Sequence, residues 1–120
     1  MISEEMRGEL LALGLNTDAM IEKFMDSEDM FRRYYVRFFD AADEVMERLS
    51  AAVSEGDLAQ TERNAHALKG LAGNIGLGGV YDPAKKIVED LRAGYTEDYR
   101  RDFDSCRSAY VTAKEIARRI

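Results

Sequence analysis

The sequence of 120 residues contains one proline, one cysteine, one histidine and no tryptophan. Proline interrupts helices and is common in loops, so its scarcity favours long helices joined by short connections. The single cysteine, Cys106, has no partner for an internal disulfide, which suits a reducing compartment. Because Phe103 and Tyr110 share its helical pattern, we predict that Cys106 is a small core residue and not a reactive thiol.

Basic residues are also scarce, since 17 lysines and arginines stand against 23 acidic residues and leave a formal charge of -6. This balance argues against a nucleic-acid partner, because binding to phosphates needs a basic surplus. The basic residues near the C-terminus are expected to complement the negative end of a last helix. They are Lys114, Arg118 and Arg119.

Long apolar runs are absent, and no stretch approaches the roughly 20 residues that a membrane span requires. The acidic start, Met1 to Glu5, lacks the basic and apolar segments of a signal peptide. We therefore expect a cytoplasmic protein that does not enter a membrane. The length fits one domain over residues 1–120. The start at Met1 and the compact length favour a stand-alone protein over a piece of a larger kinase.

Apolar residues recur at spacings of three and four, which predicts amphipathic helices. The predicted segments are about 4–13, a short turn of helix at 17–24, 28–55 after Ser27, 57–75, from Val80 or Pro83 to Arg92, and about 97–119 after Thr96. The longest is predicted to bury Phe31, Tyr34, Phe38, Ala41, Val45, Leu49 and Ala52. No segment alternates as a strand does. The pattern predicts an all-α fold: an antiparallel up-down four-helix bundle with an additional short N-terminal helix.

His66 is the residue whose surroundings are least typical of a plain helical surface. Successive helical residues turn by about 100°, so the predicted buried stripe leaves His66 exposed. Lys69, Gly70 and Gly73 share its side of the helix. A glycine inside a helix costs about 1 kcal/mol relative to alanine. Two of them beside an exposed histidine indicate a surface that another molecule approaches closely. The buried stripe is predicted to contain Ala65, Leu68, Ala72 and Ile75.

Lys69 adds a positive charge one turn away from His66. A phosphoryl group on the imidazole would carry nearly two negative charges, and a lysine can pair with it as a flexible point charge. A single histidine on a helix is more often an ordinary polar surface residue. These residues alone therefore leave both a phosphoryl site and a plain polar surface open.

The run from Ala65 to Gly76, AHALKGLAGNIG, resembles the signature of histidine-containing phosphotransfer (HPt) domains. That signature is H-x-[LI]-K-G, four further residues, an aliphatic residue and glycine, and every position is matched. Gly56-Asp57 resembles the family's short loop before the histidine helix, and residues 19–31 are similar to its N-terminal helix and the start of its second helix. Pro83 departs from the pattern, because it falls early in the family's third bundle helix.

The resemblance implies a phosphorelay carrier in two-component signalling. His66 would accept a phosphoryl group on Nε2 and exchange it with the aspartate of a response-regulator receiver domain. Lys69 would steady the phosphoryl oxygens, and Gly70 would leave room for the receiver. Gly76 would serve the backbone at the helix end. The residues expected to bind the receiver are Gly70, Gly73, Asn74, Ala67, Leu71 and Ala59.

The resemblance also implies that this chain has no kinase activity of its own, because the receiver contributes the aspartate and the Mg²⁺ site. We expect no cofactor and no metal on this chain, which we take to be a monomer. Its partners would be a receiver domain and a hybrid or sensor histidine kinase. An alternative is an HPt-like bundle that binds proteins without carrying phosphate. A metalloenzyme is disfavoured, because di-iron bundles need histidines on two helices.

Overall fold

Six helices and no strands make up the fold, which we describe from a computed structural model covering residues 1–120. The helices are α1 (Glu4–Ala12), α2 (Thr17–Lys23), α3 (Glu28–Glu55), α4 (Leu58–Ile75), α5 (Gly78–Arg92) and α6 (Tyr99–Arg119). The predicted all-α class is confirmed. None of these helices combines the length and the apolar character that crossing a membrane requires.

The four longer helices form the bundle. α4 packs against both α3 and α5, while α6 packs against α5 and α3. Because short connections join consecutive helices that lie side by side, their directions alternate along the chain. The 28 residues of α3 extend about 42 Å at the usual helical rise, close to the 44 Å long axis of the molecule. The longest helix therefore runs the full length of the bundle.

The buried face of α3 contains Phe31, Phe38, Leu49 and Ala52 of the predicted stripe but differs from it on one side. Tyr34 and Ala41 are exposed, while Tyr35, Phe39 and Ala42 are buried. The true face is rotated by about 60° toward the second set of residues, by helical geometry. The hydroxyl of Tyr35 donates to the carbonyl of Ala113 on α6 at 2.6 Å. A tyrosine can lie in the core because its hydroxyl finds a partner there.

The N-terminal part contains two short helices, α1 and α2, which correspond to the predicted segments 4–13 and 17–24. Their capping residues, Ser3 and Asn16, accept hydrogen bonds from backbone N–H groups in the first turn. The backbone N–H of Gly79 donates to the carbonyl of Leu13 at 2.8 Å. A Cβ on Gly14 would lie only 3.0 Å from the backbone of Gly78. This close contact attaches the N-terminal part to the turn between α4 and α5.

Two predicted boundaries were wrong. α5 begins at Gly78 and not at Val80 or Pro83, because Gly76 ends α4 in the left-handed conformation and the Tyr81 N–H bonds the Leu77 carbonyl at 2.8 Å. The first turn of α5 thus closes before the proline is reached. α6 begins after Asp98 and not after Thr96. Asp98 is held there by ion pairs with Lys86 at 3.3 Å and Arg101 at 3.1 Å.

Candidate functional site

The helix that carries His66 is closed at both ends by local interactions. The Asp57 carboxylate accepts a hydrogen bond from the Gln60 N–H at 3.1 Å, which caps the start of α4. Gly76 ends the helix with a φ of 76°, a conformation that glycine adopts without strain. The expected backbone role of Gly76 is therefore confirmed. Between these ends the helix continues without a break and gives His66 a rigid support.

The side of α4 that faces the core is the predicted one. Ala65, Leu68, Ala72 and Ile75 are each 0% exposed, and Thr61 joins them in the core. His66 points away from this face and is exposed. Its imidazole takes part in no hydrogen bond and no ion pair within the chain. Both ring nitrogens are therefore free of partners in the folded protein.

All of the predicted site residues lie on α4, and the structure places most of them at the surface. Gly70 and Gly73 follow His66 along one side of the helix at spacings of four and seven residues. Lys69 and Leu71 are half-buried, and Leu71 packs against the core. The exposed members of the set are His66, Gly70, Gly73, Asn74, Ala67 and Ala59. The surface of α4 around His66 therefore has few protruding side chains, because it is formed mainly by glycine and alanine.

The two glycines beside His66 differ in what surrounds them. A Cβ on Gly70 would meet nothing within 4 Å, so that position is open to another molecule. A Cβ on Gly73 would lie 3.1 Å from the ring of Tyr81 on α5. Packing within the fold therefore explains the glycine at residue 73, because the missing side chain lets this ring lie close to α4. The Tyr81 ring was missed at the sequence level, since only the packing of α5 on α4 brings it here.

A shallow depression of about 390 Å³ adjoins this glycine. It lies where α4 turns into α5 and is lined by Ala72, Gly73, Gly76, Gly78 and Tyr81. Gly73 belongs both to this depression and to the side of α4 that carries His66. The side of α4 that carries His66 is thus indented about two turns farther along the helix, next to α5.

Charged side chains around His66 add residues that the sequence analysis did not include. Glu62 and Arg63 precede His66 by four and three residues, so they lie one turn away on the same helix. Arg92 on α5 binds Glu62, with 3.2 Å between Nε and Oε2. Arg63 and Lys69 have no carboxylate within ion-pair distance. The helical spacing could have identified Glu62 and Arg63, whereas Arg92 is distant in sequence.

Other reactive or polar groups lie elsewhere. Cys106 is buried, with its Sγ 3.6 Å from the carbonyl oxygen of Val80, and burial raises the pKa of its thiol to about 12. This confirms Cys106 as a core residue. A groove of about 470 Å³ lies between α3 and α6 and is lined by side chains of both charges. It contains no residue of α4, so it is separate from the surface around His66.

The basic residues near the C-terminus have carboxylate partners. Lys114 pairs with Asp43 at 2.8 Å, Arg118 with Glu115 at 3.1 Å, and Arg119 with Glu9 at 2.8 Å. These residues therefore do more than complement the end of a helix, because Lys114 and Arg119 connect α6 to α3 and α1. No group of three or more His, Cys, Asp or Glu side chains is placed to hold a metal ion.

Comparison with known proteins gives one match. The family model of the Hpt domain matches residues 33–118, which includes α4 and all of the site residues described above. No curated protein and no solved structure matches the chain significantly. The match covers well over half of the chain, and it spans most of α3 and all of α4, α5 and nearly all of α6.

Proposed function

The chain belongs to the Hpt domain family, whose members are phosphoryl carriers in two-component phosphorelays, and from this premise we propose that His66 is the residue that carries the phosphoryl group. His66 accepts it from, or returns it to, the aspartate of a response-regulator receiver domain. The observation that supports this best is the exposed imidazole, free of internal hydrogen bonds, beside the open position of Gly70.

The chemistry asks little of this chain beyond geometry. Transfer between histidine and aspartate needs the attacking and leaving atoms in line on opposite sides of phosphorus. A ring fixed on a rigid helix, with no internal partner, can be approached along that line. Lys69 has no carboxylate partner, so its charge is available to the phosphoryl oxygens. The receiver would supply the aspartate and the Mg²⁺ site, which explains why few polar groups are needed here.

The docking surface in this proposal is the part of α4 around His66, where few side chains protrude. Gly70, Gly73, Asn74, Ala67, Leu71 and Ala59 would form it, and the glycines and alanines among them let the backbone of the receiver approach. Without bulky residues in the way, the receiver can bring its aspartate to the ring. A hybrid or sensor histidine kinase would be the other partner, because this chain is a carrier without kinase activity.

We also propose that residues 1–120 act as one unit, as a monomer in the cytoplasm. Support for one unit comes from the core, where Leu10 and Leu13 of the N-terminal part belong to the same buried cluster as the bundle helices. The lone, buried Cys106 is compatible with a reducing compartment.

A phosphotransfer assay tests the proposal. The chain is incubated with receiver domains that have been phosphorylated on aspartate with radioactive phosphate. Label that is acid-labile and alkali-stable is expected on the wild-type protein and is expected to be absent from His66→Gln. Arg107→Gln, an exposed substitution on α6, serves as the control and should accept label as the wild type does.

Two results would contradict the proposal. Label that persists in His66→Gln would place the phosphoryl group on another residue. Binding to receivers without any label, across the full set from the host, would favour the alternative of a protein-interaction module that carries no phosphate.

A further inference from the structure

Glu62 lies one helical turn before His66 on the same side of α4, so a carboxylate is a neighbour of the imidazole. In a helix every Cα–Cβ bond tilts toward the N-terminus, so a side chain covers the turn that precedes it. The imidazole of His66 therefore covers the turn that carries Glu62, four residues earlier, while the side chain of Lys69 leans back toward His66 in the same way. A phosphoryl group on the ring would come near the Glu62 carboxylate, and the two negative groups would repel each other.

Arg92 offsets this charge from a neighbouring helix. Its Nε lies 3.2 Å from Oε2 of Glu62, and the packing of α5 on α4 brings the two together. The side chains are 56% and 34% exposed, so the pair lies at the surface, and Glu62 stands one turn from His66. Surface ion pairs of this kind contribute little to folding stability. The pair is therefore expected to stabilise the packing of the two helices only slightly.

We propose that Arg92 is a positioning residue of the phosphoryl site, and that it acts by holding and neutralising Glu62. This inference rests on the proposed function of His66. With Arg92 in place, the charge of Glu62 is nearly neutralised. The unpaired positive charges of Lys69 and Arg63 then determine the electrostatic potential at the phosphoryl group. Without Arg92 the Glu62 carboxylate would be free to repel an incoming phosphoryl group. Coulomb's law for charges of about one and two at about 6 Å in water gives roughly a tenfold effect, reduced by salt.

The test uses the full chain and phosphoramidate, a small phosphoryl donor that needs no protein partner. The lone pair of the imidazole nitrogen forms a bond to phosphorus. The phosphorus–nitrogen bond of phosphoramidate breaks, and its electron pair leaves with ammonia. The rate of phosphohistidine formation and its half-life afterwards are measured for four proteins: the wild type, Arg92→Gln, Glu62→Gln and the double variant.

The expected pattern is non-additive. Arg92→Gln should form phosphohistidine about threefold to tenfold more slowly at low salt and lose it sooner. Glu62→Gln should form it faster than the wild type. The double variant should return to the wild-type rate, because neither charge remains. The differences should shrink at high salt, while the melting temperatures should stay close together.

Arg118→Gln is the matched control, because it breaks a surface ion pair of similar length, 3.1 Å, with Glu115 on α6. Its rate should equal that of the wild type. A double variant as slow as Arg92→Gln would overturn the inference, because Arg92 would then act without Glu62. A wild-type rate in Arg92→Gln would overturn it as well.

The failure of this inference can be told apart from the failure of the proposed function. Phosphoramidate requires only an accessible imidazole, so the four rates are measurable whether or not any receiver exchanges phosphate with the chain. Absence of transfer from receivers would count against the proposed function. Absence of rescue in the double variant would count against the Glu62–Arg92 pair alone.

Discussion

Gly70 and Gly73 lie on the same side of α4, yet they occupy different environments. The Tyr81 ring packs against Gly73, and a Cβ on Gly73 would lie 3.1 Å from that ring. Gly70 has open space where its side chain would be. A glycine in the middle of a helix lowers stability, and for Gly70 no contact within the fold explains that loss. The absence of a side chain at residue 70 is therefore best explained by the approach of a partner.

Replacing Gly70 with leucine tests separately whether residue 70 must leave space for a receiver and how it affects the stability of the fold. Gly70→Leu should raise the free energy of unfolding by up to about 1 kcal/mol, because leucine has the higher helix propensity. It should also block transfer from a receiver, since the new side chain would stand beside His66. Unfolding in urea and the rate of label transfer are the two measurements.

Gly8 provides the control for this substitution. It also lies inside a helix and is exposed, and a Cβ there would meet nothing within 4 Å. Gly8→Leu on α1 should show a similar gain in stability and an unchanged rate of transfer. If Gly70→Leu transferred phosphate at the wild-type rate, residue 70 would not need to leave space for a receiver.

At the scale of elements, α4 is oriented by its buried face. Leu68 is fully buried two residues after His66 and fixes which side of the helix meets the core. Truncating a buried leucine removes apolar contacts and leaves a cavity. The exposure of His66 is thus a consequence of packing on the opposite side of the same helix.

Leu68→Ala should lower the free energy of unfolding by roughly 2–5 kcal/mol. Leu11→Ala is the control, because Leu11 is 62% exposed on α1 and its loss should change the free energy by less than about 0.5 kcal/mol. Urea unfolding curves measure both. Equal effects would mean that Leu68 does not lie in the core.

The connection between α5 and α6 is held by one lysine. The Nζ of Lys86 lies 3.0 Å from Asp90, 3.3 Å from Asp98 and 3.1 Å from Asp102. Hydrogen bonds from Lys86 to Asp90 and Asp102 raise the pKa of the lysine. Burial alone would raise the pKa of Asp98, but the hydrogen bond from Lys86 and the charge of Arg101 outweigh it and lower that pKa.

Lys86→Met should lower the melting temperature at pH 7, because three carboxylates would then repel one another without their shared cation. The difference from the wild type should shrink in acid, as the aspartates take up protons and the repulsion disappears. Arg48→Met, which breaks an exposed ion pair within α3, should change the melting temperature little. Thermal melts followed by circular dichroism at pH 7 and at pH 3 test this. A difference that stayed constant with pH would exclude the electrostatic explanation.

For the whole molecule, ion pairs connect α6 to distant parts of the chain. Arg119 binds Glu9 on α1, and this hydrogen bond lowers the pKa of the Glu9 carboxyl. Burial alone would raise the pKa of Asp43 on α3, but hydrogen bonds from Lys114 and Tyr110 outweigh it and lower that pKa. Each carboxylate is therefore more acidic in the folded chain than in the unfolded one.

These shifts predict loss of stability in acid. A group whose pKa is lowered by folding stabilises the folded state above its unfolded pKa, and this contribution is lost as the pH falls through the lower folded value. The ordinary values are 3.8 for aspartate and 4.5 for glutamate. The melting temperature should therefore decline below about pH 4.5. Asp43→Asn should weaken this decline, and a decline of unchanged size would remove Asp43 from its cause.

The sequence predicted much of the fold because most of its signals are local. The start of α3 after Ser27 formed as expected, since the side chain of Ser27 reaches the N–H group of Met30 only three residues away. The start of α6 was misplaced, because Asp98 has no side-chain capping hydrogen bond and is held in part by Lys86 of α5. That contact exists only once α5 and α6 lie together.

In the candidate site too, features set by local sequence could be predicted, whereas features set by contacts between helices could not. The exposure of His66 and the position of Gly70 followed from helical spacing and the apolar pattern of α4, which act within a few residues. The Tyr81 ring beside Gly73 and the bond from Arg92 to Glu62 depend on how α5 packs against α4. By itself the sequence therefore determined the helices and the side of α4 on which His66 stands, because periodicity is a property of one helix. Only the tertiary structure decided which charges and rings surround the imidazole, because these come from another helix and are fixed by packing between the two.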